Sequence, residues 1–169
     1  MIESVIVGGQ TGVDQGAAEG AKAAGMRVTG FRPAVTRQQT ESGEMPAWLA
    51  EALTPLAMGG YRERTIHNVR EADALLVIVP NRLRPCDTAG TALTIDFARK
   101  GGLQIWVCDG RGDIECQFVT AWLARLQPVY GAMRLMVAGP RGSSWPEGFE
   151  VASRFVKNLF DRQTRIKGT

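Results

Sequence analysis

Four short apolar runs punctuate this chain: Val5-Ile6-Val7, Leu75-Leu76-Val77-Ile78-Val79, Ile105-Trp106-Val107-Cys108 and Leu135-Met136-Val137-Ala138. They are apolar throughout instead of alternating apolar with polar, the pattern of strands covered on both faces. Stretches with helical spacing lie between them, and parallel strands need such crossovers. The chain is therefore expected to form a doubly wound α/β fold, a mostly parallel sheet with helices on both faces.

The remaining segments fill in this plan. Residues 13–25 carry small apolar residues at helical spacing and end in Gly25, a natural helix stop. Residues 26–31 read as a second strand, 47–53 as a short helix and 61–72 as a polar helix. Helices are expected over 92–100, 114–126 and 148–160, with a polar, frayed tail at 161–169. Residues 32–46 mix Arg, Pro, Thr, Gln, Ser and Gly without a period and read as a long loop, a kind often given to function. No internal repeat or low-complexity segment interrupts the 169 residues, a length that fits one domain over 1–169.

Composition narrows the function classes. No run approaches the ~18 apolar residues of a membrane span. The start, Met1-Ile2-Glu3-Ser4, lacks the basic and apolar regions of a secretion signal, so a cytoplasmic setting is expected. Cys86, Cys108 and Cys116 are too few and too scattered for a disulfide framework or zinc site. His67 is the sole histidine, which excludes His-based metal centres, and no metal site is expected. No Gly-x-Ser-x-Gly elbow offers a serine nucleophile. Sixteen of the 20 basic residues are Arg, whose planar fork suits phosphate and carboxylate, although codon usage would produce the same bias. A net charge of +3, with Arg spread along the chain, does not argue for nucleic acid.

In a doubly wound fold, ligands sit beyond the carboxyl ends of the strands. Three loops fall there. The first, Gly8-Gly9-Gln10-Thr11-Gly12, opens the first helix, where backbone N–H groups and the helix dipole favour an anion. Its glycines do not have the spacing of a dinucleotide fingerprint, and no Gly-Lys-Ser/Thr follows as in a Walker A loop. Arg32, instead of an acid, ends the second strand, which disfavours NAD. The second loop, Pro85 to Thr91, precedes another helix, with Thr91 open to a role as its N-cap. The third, Ala138 to Ser144, supplies Arg141 and Ser143, and Ser144 with Glu147 fits a capping box. Converging on one sheet edge, the three loops point to a phosphate-bearing, nucleotide-like ligand. Cys86 is a candidate reactive thiol, Glu41, Glu44 and Asp87 are loop carboxylates without an evident task, and Trp48 and Trp145 are open to stacking on a ring. Trp106, Phe155 and Cys108 read as core.

The run Gly8 to Asp14, Arg64-Thr65 with Asn68-Val69 and Asp73, Gly90-Thr91-Ala92-Leu93-Thr94, and Val137 to Arg141 with Ser144 together resemble the molybdenum cofactor carrier family of the SLOG superfamily, over roughly residues 2–160. The resemblance implies a Rossmann-like fold, a homo-oligomer (dimer or tetramer) and a pocket for a nucleotide, a nucleotide-derived signal or, as cargo, the molybdenum cofactor. Carried over, Gly8, Gly9, Gln10, Thr11 and Gly12 would hold phosphate, and Gly90, Thr91 and Thr94 would form the opposite wall. Arg64, Thr65 and Asn68 would rise from the helix beneath, and Arg141 and Ser144 from the last loop. The sequence departs from the pattern at Gln15, where the family has Arg, and at Ala89, where it has Gly. The related cytokinin-activating phosphoribohydrolases carry a glutamate soon after Gly-Thr; here Leu93 and Thr94 stand there and Asp96 lies further on. No catalytic residue is therefore assigned. A binding, carrier or sensor role is expected over the alternative, hydrolysis of a nucleoside monophosphate.

Overall fold

The computed structural model describes residues 1–34 and 45–167. Five strands, β1 (Ile2–Ile6), β2 (Arg27–Thr29), β5 (Ala74–Ile78), β6 (Gln104–Cys108) and β7 (Met133–Ala138), form one parallel sheet in the order β2-β1-β7-β5-β6. Two two-residue strands, β3 (Phe31–Arg32) and β4 (Thr54–Pro55), pair separately. The helices are α1 (Val13–Ala23), α2 (Ala47–Ala52), α3 (Tyr61–Glu71), α4 (Ala89–Lys100), α5 (Asp113–Tyr130) and α6 (Gly148–Lys167).

The continuous apolar runs divide between two cores. Along β5, Ala74, Leu76 and Ile78 face α1, α5 and α6, while Leu75, Val77 and Val79 face α3 and α4. β7 does the same, with Leu135 and Val137 on one side and Met136 and Ala138 on the other. Both faces are thus covered, as the sequence pattern required.

Helix α1 leads outward from β1 to β2, whereas α4 leads outward from β5 to β6, and β7 fills the place between β1 and β5. The strand order reverses there, and the loops leaving β1, β7 and β5 diverge to leave a crevice.

Several boundaries differ from expectation. Helix α4 begins at Ala89, three residues early, because Thr88 is its N-cap: Ala92 N–H bonds the Thr88 carbonyl at 2.9 Å. Thr91 therefore lies within the first turn instead of capping it. Helix α5 runs through Pro128, which removes one hydrogen bond near the end, and stops at Gly131 (φ 67°). Helix α6 continues to Lys167, beyond the expected stop at residue 160. The short β3–β4 pair has too few residues to show a period. Of the expected loop 32–46, residues 35–44, with Glu41 and Glu44, lie outside the described residues, as do 168–169 of the tail.

Small residues let α1 and α6 approach closely. A Cβ on Gly16 would stand 2.2 Å from the Phe149 carbonyl oxygen, and one on Gly20 would stand 2.3 Å from that of Ser153. Neither backbone can yield cheaply. Gly16→Ala is expected to destabilise the protein by about 2 kcal/mol, although alanine is the better helix former by ~1 kcal/mol. Urea unfolding with an unchanged slope measures this; equal or raised stability would mean that the two helices are free to separate.

Candidate functional site

The first and third loops are locked to each other. Gly142 N–H bonds the Thr11 carbonyl at 3.1 Å, and Val13 N–H bonds that of Pro140 at 3.2 Å. Gly12 has φ 87°, and a Cβ there would lie 2.5 Å from the Gly142 nitrogen, so glycine is needed for this seam. The third loop also presses on β5, since a Cβ on Gly139 would lie 2.2 Å from the Ile78 carbonyl oxygen. Between this seam, α3 and the start of α4 lies a cavity of about 360 Å³.

Eight of the expected residues line it: Gln10, Arg64, Thr65, Gly90, Thr91, Thr94, Arg141 and Ser144. The other five stand outside its wall. Gly8 lies under the Arg64 guanidinium, where a Cβ would come within 1.6 Å of Nη1. Gly9 accepts a hydrogen bond from Gln15 Nε2 at 3.0 Å, and Thr11 and Gly12 form the seam. Asn68, fully buried, fastens β3 to the end of β1: it accepts from Phe31 N–H at 2.7 Å and donates to the Val7 carbonyl at 3.3 Å.

A buried ion pair forms the floor. Arg64 is 5% exposed; its Nη1 meets Asp14 Oδ2 at 3.2 Å and its Nη2 donates to Gln10 Oε1 at 3.4 Å. Arg64 Nε has no hydrogen-bond partner, a rare state for a buried donor. Asp14 also accepts the Gln10 and Gly8 amides, so the anion in the glycine loop is supplied by the chain itself. Burial pushes the Asp14 carboxyl above its ordinary value, against the downward pull of Arg64 and of those two amides.

The opposite wall is the N-terminus of α4. Its first turn holds no acidic side chain, and its leading amides have no helix carbonyl to bond. Thr88 donates to the Thr91 hydroxyl at 2.7 Å, and Thr94 donates to the Gly90 carbonyl at 3.0 Å, which fixes both wall threonines. Arg64, a half-empty guanidinium, thus faces the positive end of a helix across a shared space. Nothing in this wall repels an anion except Asp14 and Asp87.

The sequence alone assigns no binding role to Asp14, Tyr61, Thr88 or Leu93, all of which line the cavity wall. Tyr61 had a legible signal: Tyr61, Arg64, Thr65 and Asn68 follow i, i+3, i+4, i+7, a polar stripe on the inner face of α3. Two other expectations change. Trp145 is 4% exposed and belongs to the core, so it is not a stacking platform. Helix α6 starts after Glu147, so Ser144 and Glu147 do not form the expected capping box; Glu147 accepts the Trp145 indole N–H at 3.1 Å. Trp48 packs under Lys22, 4.1 Å above its ring, and does not line the cavity. Cys86 is exposed; Cys108 is buried, its thiol pushed up to about 12 by burial, and inert as a nucleophile. Among the described residues no three His, Cys, Asp or Glu side chains come together as a metal site requires.

A parallel sheet wound in both directions, with its crevice at the reversal, defines a Rossmann-like α/β protein. Within that class the chain belongs to the circularly permutated YpsA SLOG family, whose model matches residues 5–160. It is similar to the "Putative molybdenum carrier protein" of Syntrophus aciditrophicus, whose crystal structure superposes with a TM-score of 0.74 at 25% identity over 94% of each chain. No curated protein matches the sequence. No helix among the described residues is long and apolar enough to cross a membrane.

Proposed function

We propose that this protein captures a phosphate-bearing small molecule, either the molybdenum cofactor as cargo or a nucleotide-derived ligand, and holds it without chemical change. The observation that carries the reading is Arg64: a guanidinium almost wholly buried, with Nε unpaired, set across a 360 Å³ cavity from the N-terminus of α4. Arg64 lines that cavity, where a ligand oxygen would meet its guanidinium in a charge-assisted hydrogen bond. The α4 amides and dipole would take the same charge from the other side. The cavity lies within the ~300–1,000 Å³ range of small-ligand sites. The name given to the Syntrophus protein favours the molybdenum cofactor, and membership of the SLOG family leaves a nucleotide derivative in view.

Native mass spectrometry of freshly purified protein should show a co-purified mass that leaves on denaturation and contains phosphorus. Incubation with AMP, followed by chromatography, should release no adenine; release of the base would overturn the carrier reading in favour of hydrolysis. Arg141, exposed at the rim, is expected to act as an outer anion clamp. Arg141→Ala should weaken ligand binding by about 1–2 kcal/mol by removing a charge-assisted contact. Unchanged affinity in calorimetric titration would remove it from the site.

A further inference from the structure

A second cavity, of about 350 Å³, opens on the α3 side of the sheet at its β2 edge and shares no lining residue with the first. Tyr61 at the start of α3 lines the first cavity and Glu71 at its end lines the second, roughly 15 Å apart along the helix. The floor of the second cavity is the sheet itself. Side chains two residues apart on a strand share a face, so Ser4 lies on the side of Ile6, which packs with α3. Strand register sets Arg27 of β2 on one flank of Ser4 and Arg134 of β7 on the other. Ser4 is 2% exposed, and its hydroxyl has no hydrogen-bond partner among the described residues. A buried polar group in that state is uncommon. The oxygen is not sealed in, and the space it meets is the cavity. The lining carries both signs of charge. Arg134 is committed to Glu71 at 2.6 Å and lies 3.6 Å from Asp73. Arg27 and Glu3 have no ion pair among the described residues, although both line the same space. The pairing of β1 with β7 shifts between Ile2 and Ser4, which leaves Glu3 without a partner on β7. Such irregularities re-aim side chains, and here Glu3 stands on the cavity wall.

We infer that this cavity is a second binding site, for a small zwitterion of the α-amino acid type with an apolar side chain. The planar fork of Arg27 matches a carboxylate, and the Ser4 hydroxyl, beside it across the strands, adds a donor to the same group. Glu3 takes the ammonium. The charge balance selects this class. A plain anion would face Glu3 and Glu71 with no group to offer them, and a plain cation would leave Arg27 unanswered. A molecule with both charges a few bonds apart meets each of the two free ones. Ile6 and Phe31, also on the lining, suit an apolar side chain. The volume lies at the small end of the ~300–1,000 Å³ range of ligand sites.

Calorimetric titration of the full-length protein with L-leucine, L-valine and L-phenylalanine tests the assignment. At least one of them should bind. Its N-acetyl derivative, which lacks the ammonium, and its methyl ester, which lacks the carboxylate, should each bind about tenfold or more weakly, because each loses a charge-assisted contact. Arg27→Gln and Glu3→Gln should each lower affinity for the free amino acid by about the same factor. Both positions are exposed, and circular dichroism should show native helix content in each variant. Ser4→Ala removes a hydroxyl that bonds nothing in the protein, so urea unfolding should show wild-type stability while affinity falls about fivefold. Failure of all three amino acids to bind at millimolar concentration would overturn the inference. So would an N-acetyl derivative that binds as well as its parent, since the site would then take a carboxylate alone. Affinity unchanged in both Arg27→Gln and Ser4→Ala would place the amino acid elsewhere and overturn it too.

Discussion

Replacing Arg64 by Met is expected to lower folding stability by about 3–5 kcal/mol, because it leaves one partner of a buried ion pair without the other. Asp14 and Arg64 each expose only 7% of their side chains, so water cannot compensate the carboxylate once the guanidinium has gone. The loss should depend on pH in a defined sense. Burial already holds the Asp14 carboxyl above its ordinary value, and Arg64 is the largest influence pulling it back down. Without Arg64 the folded-state pKa rises further from the unfolded value near 3.8. A group that binds its proton more tightly when folded favours the folded state at low pH, and that advantage disappears as pH rises through the folded value. The variant should therefore come closest to wild type near pH 4 and fall furthest behind at neutral pH. Urea unfolding across the range measures it. A penalty independent of pH would mean that the arginine stem, and not its charge, supports the fold.

How much of this was legible in the sequence follows from the physics of each part. The four central strands announced themselves because burial on both faces makes them apolar without interruption, and the helices between them fixed the parallel topology. The order β2-β1-β7-β5-β6 was not legible, since nothing in a local pattern says that the last strand inserts between the first and the fifth. The convergence of three loops was readable from the general rule for α/β sheets, and eight of thirteen expected residues do meet in one cavity. The remaining five show where the rule stops. A glycine-rich turn offers amides to an anion, but the sequence does not say which anion. Here Asp14, one helical turn downstream, takes the amides of Gly8 and Gln10, while the Gly9 carbonyl accepts from Gln15 and Thr11 and Gly12 lie at the seam with the third loop. Asn68 lay at the right spacing on α3 to face a ligand, yet unpaired backbone at Val7 and Phe31 claims its amide. Satisfaction of buried backbone groups is a three-dimensional account that a one-dimensional pattern does not hold.

The occupation of the glycine loop by Asp14 has a direct consequence for binding. As long as the carboxylate is ionised, it neutralises Arg64, and the cavity presents the α4 dipole without a full positive charge behind it. Asp14→Asn keeps the shape of the side chain and an oxygen for the Gly8 and Gln10 amides while removing the charge. An anion held about 6 Å away, in surroundings with an effective dielectric constant of ~20, should then bind about 3 kcal/mol, roughly a hundredfold, more tightly. The wild-type protein should approach the same state by titration. Because the Asp14 carboxyl is raised, falling pH protonates it before an ordinary aspartate would respond, and the site gains one positive charge. Sulfate, which keeps its charge across this range, is a suitable probe. Its affinity for the wild type should climb as pH is lowered through the raised value, while the Asp14→Asn variant should bind tightly and with a flatter profile throughout. Calorimetric titration of both proteins from neutral pH downward decides the matter. Equal affinities at neutral pH would mean that the anion sits against α4 and Arg141, beyond the influence of Asp14. Parallel pH profiles would mean that another group controls the charge of the site.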